Sequence, residues 1–463
     1  DLHSFPTRRS SDLHIDHPVS AITAPAPVPQ RPHSSRGGRL LSSETRLVLA
    51  TAGTIEPGGF AAQTRKGLDW DRVLMVTLSE RAAPAVHAAL VRYGGGAAPP
   101  AVLDRLARAS RGAQLRLAYM TQRLAETNRA LSAAGIPVLL LKGAAVARVA
   151  YRSLAERPMS DLDLLVPPEH VATAYQLALA AGWRASEYVT IEEFYRGHYH
   201  LPPLRDQRMP DVALEIHRDI LPEGHPFAFG ATDMWRHAIG AGSDDAVVPC
   251  AGHQALHLCL HFAWSHMLAQ GGWRAFSDLA HLVRANQLQW PELVREAAEH
   301  HATASCYWTL RLARDLGGVQ VPAEVLEQLQ PRRSAMAREF LARHLVTVLD
   351  PLGSSCPSTR LKRALLLSAL ADDVRDCAYR PPWDREHLFV LPTAAPWKPR
   401  RQHFRRHLVR AELYLRWGLS LLTGRPVKSQ LPVGADDTTQ DGPAGEPPTR
   451  YMEIGRASCR ERV

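Results

Sequence analysis

Apolar residues recur at helical spacing in two long stretches near the start of the chain. The first runs from Trp70 to Tyr93 and ends at three consecutive glycines, 94–96. The second runs from Pro100 to Ala134, with leucine or methionine at positions 103, 106, 117, 120, 124 and 131. Because side chains three and four residues apart share one face of a helix, these stretches predict a helical region over residues 40–135.

The apolar period changes after Gly135. Residues 136–141 read Ile-Pro-Val-Leu-Leu-Leu, a short continuous apolar run that is typical of a buried strand. The pattern further predicts a helix at 144–151, a strand at 161–166, a helix at 169–181 and a strand at 211–217. An α/β core is therefore predicted over residues 136–235.

Helical spacing returns after Pro249, with predicted helices at 251–269, 274–286, 291–316 and 333–349. These helices form a predicted helical region over 236–350, and a basic helical segment over 351–428 follows. The predicted fold class is therefore α+β and mostly helical, with a small mixed-sheet core flanked by N- and C-terminal helical regions.

The two ends of the chain differ from the rest in composition. Residues 18–38 are rich in proline, serine and glycine, which favours a disordered leader over 1–39, and a disordered tail is predicted over 429–463. Residues 5–13 and 453–463 look like translated sequencing-adapter read-through. Both scars are set aside from the interpretation of the fold.

The charge balance of the 463 residues is basic, with a formal net charge of +9. Without residues 1–13 (two Arg, two Asp) and 453–463 (three Arg, two Glu) the charge is +8. This excess fits nucleotides, nucleic acid or an anionic membrane surface and selects none of them. Five cysteines outside the tail, without C-x-x-C spacing, and no membrane-length apolar run indicate a cytoplasmic protein.

Two aspartates in the second predicted strand are the first candidates for chemistry. Successive side chains of a strand point to opposite faces, so Asp161 and Asp163 share one face. Two carboxylates this close repel each other unless a cation lies between them, and hard oxygen ligands favour Mg²⁺ or Mn²⁺. Taken alone, the pattern fits an exposed strand end better.

A glycine turn, Lys142-Gly143, joins the first predicted strand to the following helix. Glycine lets backbone N–H groups approach a phosphate, the helix N-terminus adds partial positive charge, and Lys142 supplies a point charge. An ordinary connecting turn is the alternative. The combination of this turn with an Asp pair eighteen residues later is more specific than either part. It predicts a site for a metal ion and a nucleotide.

The segment Leu141-Lys-Gly143 with Arg157-Pro-Met-Ser-Asp-Leu-Asp-Leu-Leu-Val166 resembles the core of the DNA polymerase beta nucleotidyltransferase superfamily. Its uncharacterised bacterial nucleotidyltransferase branch is the most similar, and the resemblance covers roughly residues 40–350. In that superfamily a Gly-Ser pair opens the helix, two aspartates bind divalent metal, and a third carboxylate lies on a later strand. Here Lys-Gly replaces Gly-Ser, and Glu215 matches the third carboxylate, which is usually Asp.

The resemblance implies transfer of a nucleoside monophosphate by two-metal chemistry. Asp161, Asp163 and Glu215 would be the catalytic and metal-binding residues, Mg²⁺ or Mn²⁺ the cofactor and a nucleoside triphosphate the substrate. Lys142 and Gly143 would bind the triphosphate. The acceptor would be a small molecule, a sugar, a peptide or a protein.

Three further residues lie close to this constellation in the sequence. Arg157 and Ser160 precede the Asp pair, and Arg157 would clamp a phosphate or orient the carboxylates. A surface arginine and a turn serine are the alternatives. His217 shares a strand face with Glu215 and would orient it or bind the acceptor, with a structural histidine as the alternative.

A row of histidines, His253, His257 and His261, recurs four residues apart, with His266 beyond. The ends of the row lie about 12 Å apart along a helix axis, so they converge poorly on one zinc ion. We predict packing or acceptor-pocket lining instead. Asp278 is predicted as a residue of a helix start, with a place in the pocket wall as the alternative.

The last candidate is a basic run, residues 398–410, with six Lys or Arg and no acid, followed by apolar 413–422. A solvated face is the ordinary interpretation. The functional interpretation is peripheral contact of 398–422 with an anionic membrane, and nucleic acid is less favoured.

Two other functions compete with nucleotidyl transfer. A metal-dependent glycosyltransferase can also use D-x-D to hold a metal ion and a nucleotide-sugar pyrophosphate. A catalytically degenerate nucleotide-binding or interaction module would explain the missing serine and the glutamate in third place. The upstream Lys-Gly turn and the third carboxylate favour the nucleotidyltransferase.

Overall fold

The computed structural model describes residues 40–153, 156–185, 198–240, 246–352, 359–370, 372 and 413–425. The predicted leader over 1–39, the tail over 429–463 and the basic run 398–410 lie outside these residues. The fold and the candidate site are therefore built from the described ranges.

Five helices form the N-terminal region, and capping groups mark where several of them begin. The Ser42 hydroxyl and the Asp69 carboxylate accept backbone N–H bonds at the first and third helices, and proline opens the second, fourth and fifth. The helices are α1 (Ser43–Leu49), α2 (Pro57–Thr64), α3 (Trp70–Ser79), α4 (Ala83–Tyr93) and α5 (Pro100–Ala133).

The predicted helical stretch 70–93 is broken between α3 and α4. Arg81 has a φ of 59°, a left-handed conformation that no helix interior accommodates. The apolar period continues across this break, and for that reason the hydrophobic pattern alone does not reveal it.

A seven-stranded mixed sheet lies at the centre of the α/β core. Its order is β3-β4-β5-β2-β1-β7-β6, with β2–β5 and β1–β7 parallel and the other pairs antiparallel. The strands are β1 (Leu139–Leu140), β2 (Asp161–Leu165), β3 (Trp183–Ala185), β4 (Leu204–Asp206), β5 (Ala213–His217), β6 (Ile239–Gly240) and β7 (Val247–Val248). The last two strands lie beyond residue 235, where the predicted α/β core ends.

Three helices connect the strands of the core: α6 (Lys142–Ala150), α7 (Val171–Ala180) and α8 (Ala231–Arg236). The helix α6 follows β1 after one residue, as the Lys-Gly turn predicts. The glycine at 182 that ends α7 has a φ of 88°, which suits a helix C-terminus.

The remaining helices pack beside the sheet. They are α9 (Ala251–Leu260), α10 (Gly272–Arg284), α11 (Trp290–Glu299), α12 (Thr303–Gly317), α13 (Ala323–Gln328), α14 (Ala335–Leu349), α15 (Thr359–Leu370) and α16 (413–423). A π-helical turn, His261–Ser265, directly continues α9. With the sheet, these helices confirm the predicted α+β, mostly helical fold class.

The single helix predicted over 291–316 was wrong, since α11 and α12 are separate helices. The N–H of Ala302 bonds to Ala297 O at 2.7 Å, and His301 has a φ of 57°, so the first helix closes there. The imidazole of His300 meanwhile contacts the carbonyl of Ala228 at 2.7 Å. This long-range contact is invisible to the apolar period.

Two hydrophobic clusters lie on opposite faces of the sheet. Leu162 and Leu164 of β2 belong to a cluster with α5 and α7, whereas Leu165 belongs to the larger helical cluster. The odd-numbered residues of β2 therefore face the C-terminal helices. Among the described helices, none is long and apolar enough to cross a membrane.

Candidate active site

Two parallel strands place the predicted carboxylates side by side. The register of β2 and β5 pairs Asp161 with Ala213, Asp163 with Glu215, and Leu165 with His217. Residues paired in this way point to the same face of a sheet. Asp163 and Glu215 therefore lie next to each other on the face toward the C-terminal helices.

The ammonium group of Lys142 lies beside both carboxylates. Its Nζ is 2.5 Å from Asp163 Oδ1 and 3.6 Å from Glu215 Oε2. Burial opposes protonation of Lys142, but attraction to these two carboxylates raises its pKa well above the ordinary value. The amine is thus a charged counter-ion of the acidic pair.

The backbone of Lys142 is also unusual. Its φ of 46° is left-handed, which costs a non-glycine residue on the order of 1–3 kcal/mol. Among the described residues, no side chain caps the N-terminus of α6, which Lys142 begins. The strained turn aims the lysine side chain at the carboxylates.

His217 completes a tight polar cluster. Its Nε2 is 3.0 Å from Asp163 Oδ1 and 3.6 Å from Glu215 Oε2, and the three residues offer ligand atoms within 4.8 Å of one another. Burial and the charge of Lys142 disfavour the imidazolium, but hydrogen bonds to Asp163 and Glu215 outweigh them and raise the pKa of His217. The imidazole is therefore held between the two carboxylates.

The three carboxylates differ in their electrostatic surroundings. Burial raises the pKa of Asp161, and repulsion from Asp163 and Glu215 raises it further. Burial also disfavours charge on Asp163 and Glu215, but their pKa values lie below the ordinary range. Lys142 and His217 lower the pKa of Asp163, and His200, Lys142 and His217 lower that of Glu215.

Asp161 is the carboxylate with spare coordination capacity. Among the residues that the structure describes, its carboxylate group forms no hydrogen bond or ion pair. Burial and repulsion from Asp163 and Glu215 raise its pKa despite the attraction of Lys142 and Arg274. Asp163, Glu215 and His217 form a donor group that fits Mg²⁺ or Mn²⁺, and Asp161 lies one pleat away on the same face.

Arg157 lies beside the Lys142-Gly143 turn, and its guanidinium is already bound to other groups. Its guanidinium contacts the carboxylate of Asp278 at 2.7 and 3.1 Å and the carbonyl of Pro158 at 3.1 Å. The interaction with Asp278 holds the pKa of Arg157 above its ordinary value despite burial. A Cβ on Gly143 would lie 2.1 Å from Arg157 Nη1, so the glycine makes room for this guanidinium.

The prediction of Asp278 as a helix-start residue was wrong. The helix α10 begins at Gly272, and Asp278 lies buried in its second turn. Its carboxylate binds Arg157 and accepts a hydrogen bond from the Tyr151 hydroxyl at 2.9 Å. Asp278 therefore ties α10 to the end of α6 and to the segment before β2.

Ser160 contributes its backbone to the site. Its carbonyl accepts bonds from the N–H of Ala213 and from Arg116 Nη2, each at 3.4 Å. Both contacts fix the residue directly before Asp161. They hold the N-terminal end of β2 against β5 and α5.

The predicted histidine row divides between two places. His253 turns away toward Glu296, with Nε2 3.5 Å from Oε2. The pKa values of His257 and His266 fall to about 3 because both are buried, and the charge of Lys142 lowers them further. The π-helical turn at His261 brings the rings of His261 and His266 to 4.6 Å. Neutral imidazoles thus face the lysine from α9.

Several residues near the site were not predicted. His200 Nε2 lies 4.0 Å from Glu215 Oε2, and burial lowers its pKa to about 4. Arg81, Arg116 and Arg274 come from the turn between α3 and α4, from α5 and from α10, and they carry charge near Asp161. No spacing in the sequence connects these positions, so a motif search had no signal to find them.

One comparison with known proteins gives a match. The model of a family described as uncharacterised nucleotidyltransferase matches residues 66–318, more than half of the chain. No curated protein and no solved structure matches the chain. The matched range contains every residue of the site described above.

Proposed function

The chain belongs to this uncharacterised nucleotidyltransferase family, and we propose that it moves a nucleoside monophosphate from a nucleoside triphosphate to an acceptor. The observation that carries the proposal is the pairing of Asp163 with Glu215 across parallel strands, with Asp161 one pleat away on the same face. The resemblance to the DNA polymerase beta superfamily supports the two-metal form of the chemistry.

Asp161, Asp163 and Glu215 would hold Mg²⁺ or Mn²⁺, and His217 would orient Asp163. When bound, the metal ions would neutralise the triphosphate, activate the acceptor oxygen and stabilise the leaving pyrophosphate. The remaining contribution of the chain is to position the reactants and to supply fixed charges around the phosphates.

Lys142 would have two positions in this proposal. In the described structure its ammonium neutralises Asp163 and Glu215. A divalent ion would compete for the same oxygen atoms, so the lysine would move to a phosphate of the nucleotide. The Lys-Gly turn would then serve the nucleotide as a Gly-Ser pair does in the wider superfamily.

The acceptor would approach from the side of the neutral histidines. His200 has a pKa of about 4 and His257 of about 3, so both are uncharged at neutral pH. Uncharged imidazoles can accept a proton from a hydroxyl or orient it by a hydrogen bond. A small molecule, sugar, peptide or protein with a nucleophilic oxygen would satisfy this environment.

The test is pyrophosphate release from each common nucleoside triphosphate, with Mg²⁺ or Mn²⁺ and pools of candidate acceptors. We expect metal-dependent release that Asp161→Asn abolishes and Asp71→Asn, an exposed control, leaves intact. Release of a nucleoside diphosphate from a nucleotide sugar would instead support the glycosyltransferase. Tight nucleotide binding without turnover against any acceptor would support the degenerate module.

A further inference from the structure

Three arginines from distant parts of the chain carry charge near Asp161. Arg81 lies in the left-handed turn between α3 and α4, Arg116 in α5, and Arg274 in the first turn of α10. All three are half-buried, so part of each side chain is open to solvent.

A backbone-to-carboxylate contact brings two of them together. Glu80, directly before Arg81, accepts hydrogen bonds from the N–H groups of Gly271 at 3.3 Å and Trp273 at 3.0 Å. The guanidinium of Arg274 lies over Gly271, where a Cβ would be 3.0 Å from its Nη2. The turn that carries Arg81 is thus pinned to the helix that carries Arg274.

The third arginine is fixed beside Asp161. Arg116 Nη2 donates to the carbonyl of Asp211 at 2.5 Å and to that of Ser160 at 3.4 Å. Its buried Nε has no acceptor within the part of the chain that the structure describes. Arg116 therefore has hydrogen-bonding capacity left over, one residue away from the unpaired carboxylate.

The charges of this cluster are poorly compensated. Burial lowers the pKa of Arg81 to about 10, and the guanidiniums of Arg274, Arg116 and Arg157 lower it further against the pull of Asp161. Across the described ranges, neither Arg81 nor Arg274 forms an ion pair. Crowded cations of this kind are costly unless an anion joins them.

Other basic groups around the site are already engaged. Lys142 is paired with Asp163, and Arg157 is paired with Asp278. The nearby Glu80 carboxylate is used by the N-terminus of α10. Among the described residues, the three arginines keep donors for an incoming anion, and the carboxylates that attract them are Asp161 and, at Arg116, Asp211.

We infer that Arg81, Arg116 and Arg274 form a polyphosphate-binding cluster that holds the triphosphate of the nucleotide and the pyrophosphate released from it. The inference rests on the proposed function, since it places the triphosphate beside the proposed metal ligands. A guanidinium group suits this ligand because it can donate two parallel hydrogen bonds to two oxygen atoms of one phosphate. The triphosphate would then contact the N-terminal helical region and α10 as well as the Lys-Gly turn.

The experiment measures binding of inorganic tripolyphosphate to the full chain by calorimetry with a chelator present, so that no metal takes part. Arg81→Gln and Arg274→Gln should each weaken binding roughly tenfold to a hundredfold, as loss of a charge-assisted contact does. Arg108→Gln, on an exposed arginine of the same helix as Arg116, is the control and should bind like the parent. Arg81→Lys and Arg274→Lys should restore part of the affinity.

A second experiment tests whether the negative charge of Asp161 opposes binding of tripolyphosphate. Asp161→Asn should tighten metal-free tripolyphosphate binding, because it removes a negative charge from the cluster, while it abolishes pyrophosphate release. Unchanged affinity in both glutamine variants, or no binding by the parent, overturns the inference even if metal-dependent transfer is found. Loss of transfer alone would overturn the proposed function and leave the cluster standing.

A third arm identifies the source of the phosphate. Adenosine triphosphate should compete with tripolyphosphate, and glycerol phosphate, a monoester, should compete poorly. Equal competition by the monoester would assign the cluster to a phosphorylated acceptor and overturn the triphosphate assignment.

Discussion

At the scale of single residues, the two aspartates of β2 are expected to respond oppositely to the same substitution. Asp163 lies in a buried ion pair, so Asp163→Asn should lower the free energy of unfolding by about 3–5 kcal/mol. Asp161 has no partner among the described residues and a raised pKa, so Asp161→Asn should leave the metal-free protein equally or more stable. Urea unfolding at neutral pH with a chelator measures both.

The physical reason is the direction of each pKa shift. A lowered pKa means that charged Asp163 stabilises the fold above the ordinary aspartate range and that this contribution fades as pH falls. A raised pKa means that charged Asp161 costs stability at neutral pH and that protonation removes the cost. Equal destabilisation by the two substitutions would contradict the described pairing.

Gly143 is a residue at which one added methyl group should lower the stability of the fold. Gly143→Ala places a Cβ 2.1 Å from Arg157 Nη1, so the guanidinium must leave Asp278 or the turn must shift. We expect a loss of about 2–4 kcal/mol in unfolding free energy together with loss of turnover. Thermal melts and pyrophosphate release check the two effects.

The matched control is Gly112→Ala, since a Cβ at Gly112 in the middle of α5 meets no atom within 4 Å. Alanine there should stabilise the protein by roughly 0.5–1 kcal/mol. If the two alanine variants behave alike, the Arg157 contact does not constrain the turn.

Strand alternation predicted that Asp161 and Asp163 share a face, and the family resemblance predicted Glu215, but neither predicted the partners of these residues. The structure brings Asp163 and Glu215 together with Lys142. The engagement of Arg157 by Asp278 was not predictable, because 121 residues separate them. For the same reason Asp278 was assigned to a helix start.

At the scale of elements, the turn from β1 to α6 should respond to metal. Lys142→Gln removes the counter-ion of Asp163 and Glu215, so the metal-free variant should be less stable by about 3–5 kcal/mol. Added Mg²⁺ should then raise its melting temperature more than that of the parent, because the lysine no longer competes. A melting series in Mg²⁺, with exposed Lys66→Gln as control, measures this.

Helix α16 leaves an apolar face exposed, and the peripheral membrane contact remains a prediction. Trp417 and Leu421 are buried, whereas the exposed side includes Leu415 at 64 % and Leu422 at 68 %. Leu415→Glu should reduce co-sedimentation with anionic vesicles several-fold. Lack of binding by the parent protein would show that this face has another role.

Element prediction succeeded where the apolar pattern was long. The helix α5 and the strand β2 agree with their predicted ranges within one or two residues. The strands β3, β4, β6 and β7 have only two or three residues, too few for any period to show. The breaks at Arg81 and His301 depend on left-handed backbone conformations, which hydrophobicity does not encode.

At the scale of the whole molecule, residues on the two sides of position 350 are in contact. The carboxylate of Asp372 accepts bonds from the N–H groups of Thr303 and Ala304 at 2.9 and 2.7 Å, and Trp308 Nε1 donates to Ala369 O at 2.9 Å. A fragment of residues 40–350 lacks these contacts, whereas 40–372 keeps them. We expect a higher urea midpoint for the longer fragment.

A single substitution separates the contribution of the Asp372 carboxylate, which caps α12, from that of helix α15. Asp372→Ala in the full chain should cost about 0.5–2 kcal/mol, the usual effect of removing an N-terminal helix cap. If the two fragments unfold at the same urea concentration, residues 359–372 add nothing to the helical part.

The pair formed by Arg157 and Asp278 bears on how such a protein can change over generations. A recombination breakpoint between these positions would join a turn that needs an acidic partner to a helix from another ancestor. The offspring would carry an intact Asp-x-Asp strand and a buried arginine without its counter-charge. We therefore expect exchange among relatives to transmit residues 157–278 as one inherited block, which changes by substitution within it rather than by shuffling of its parts.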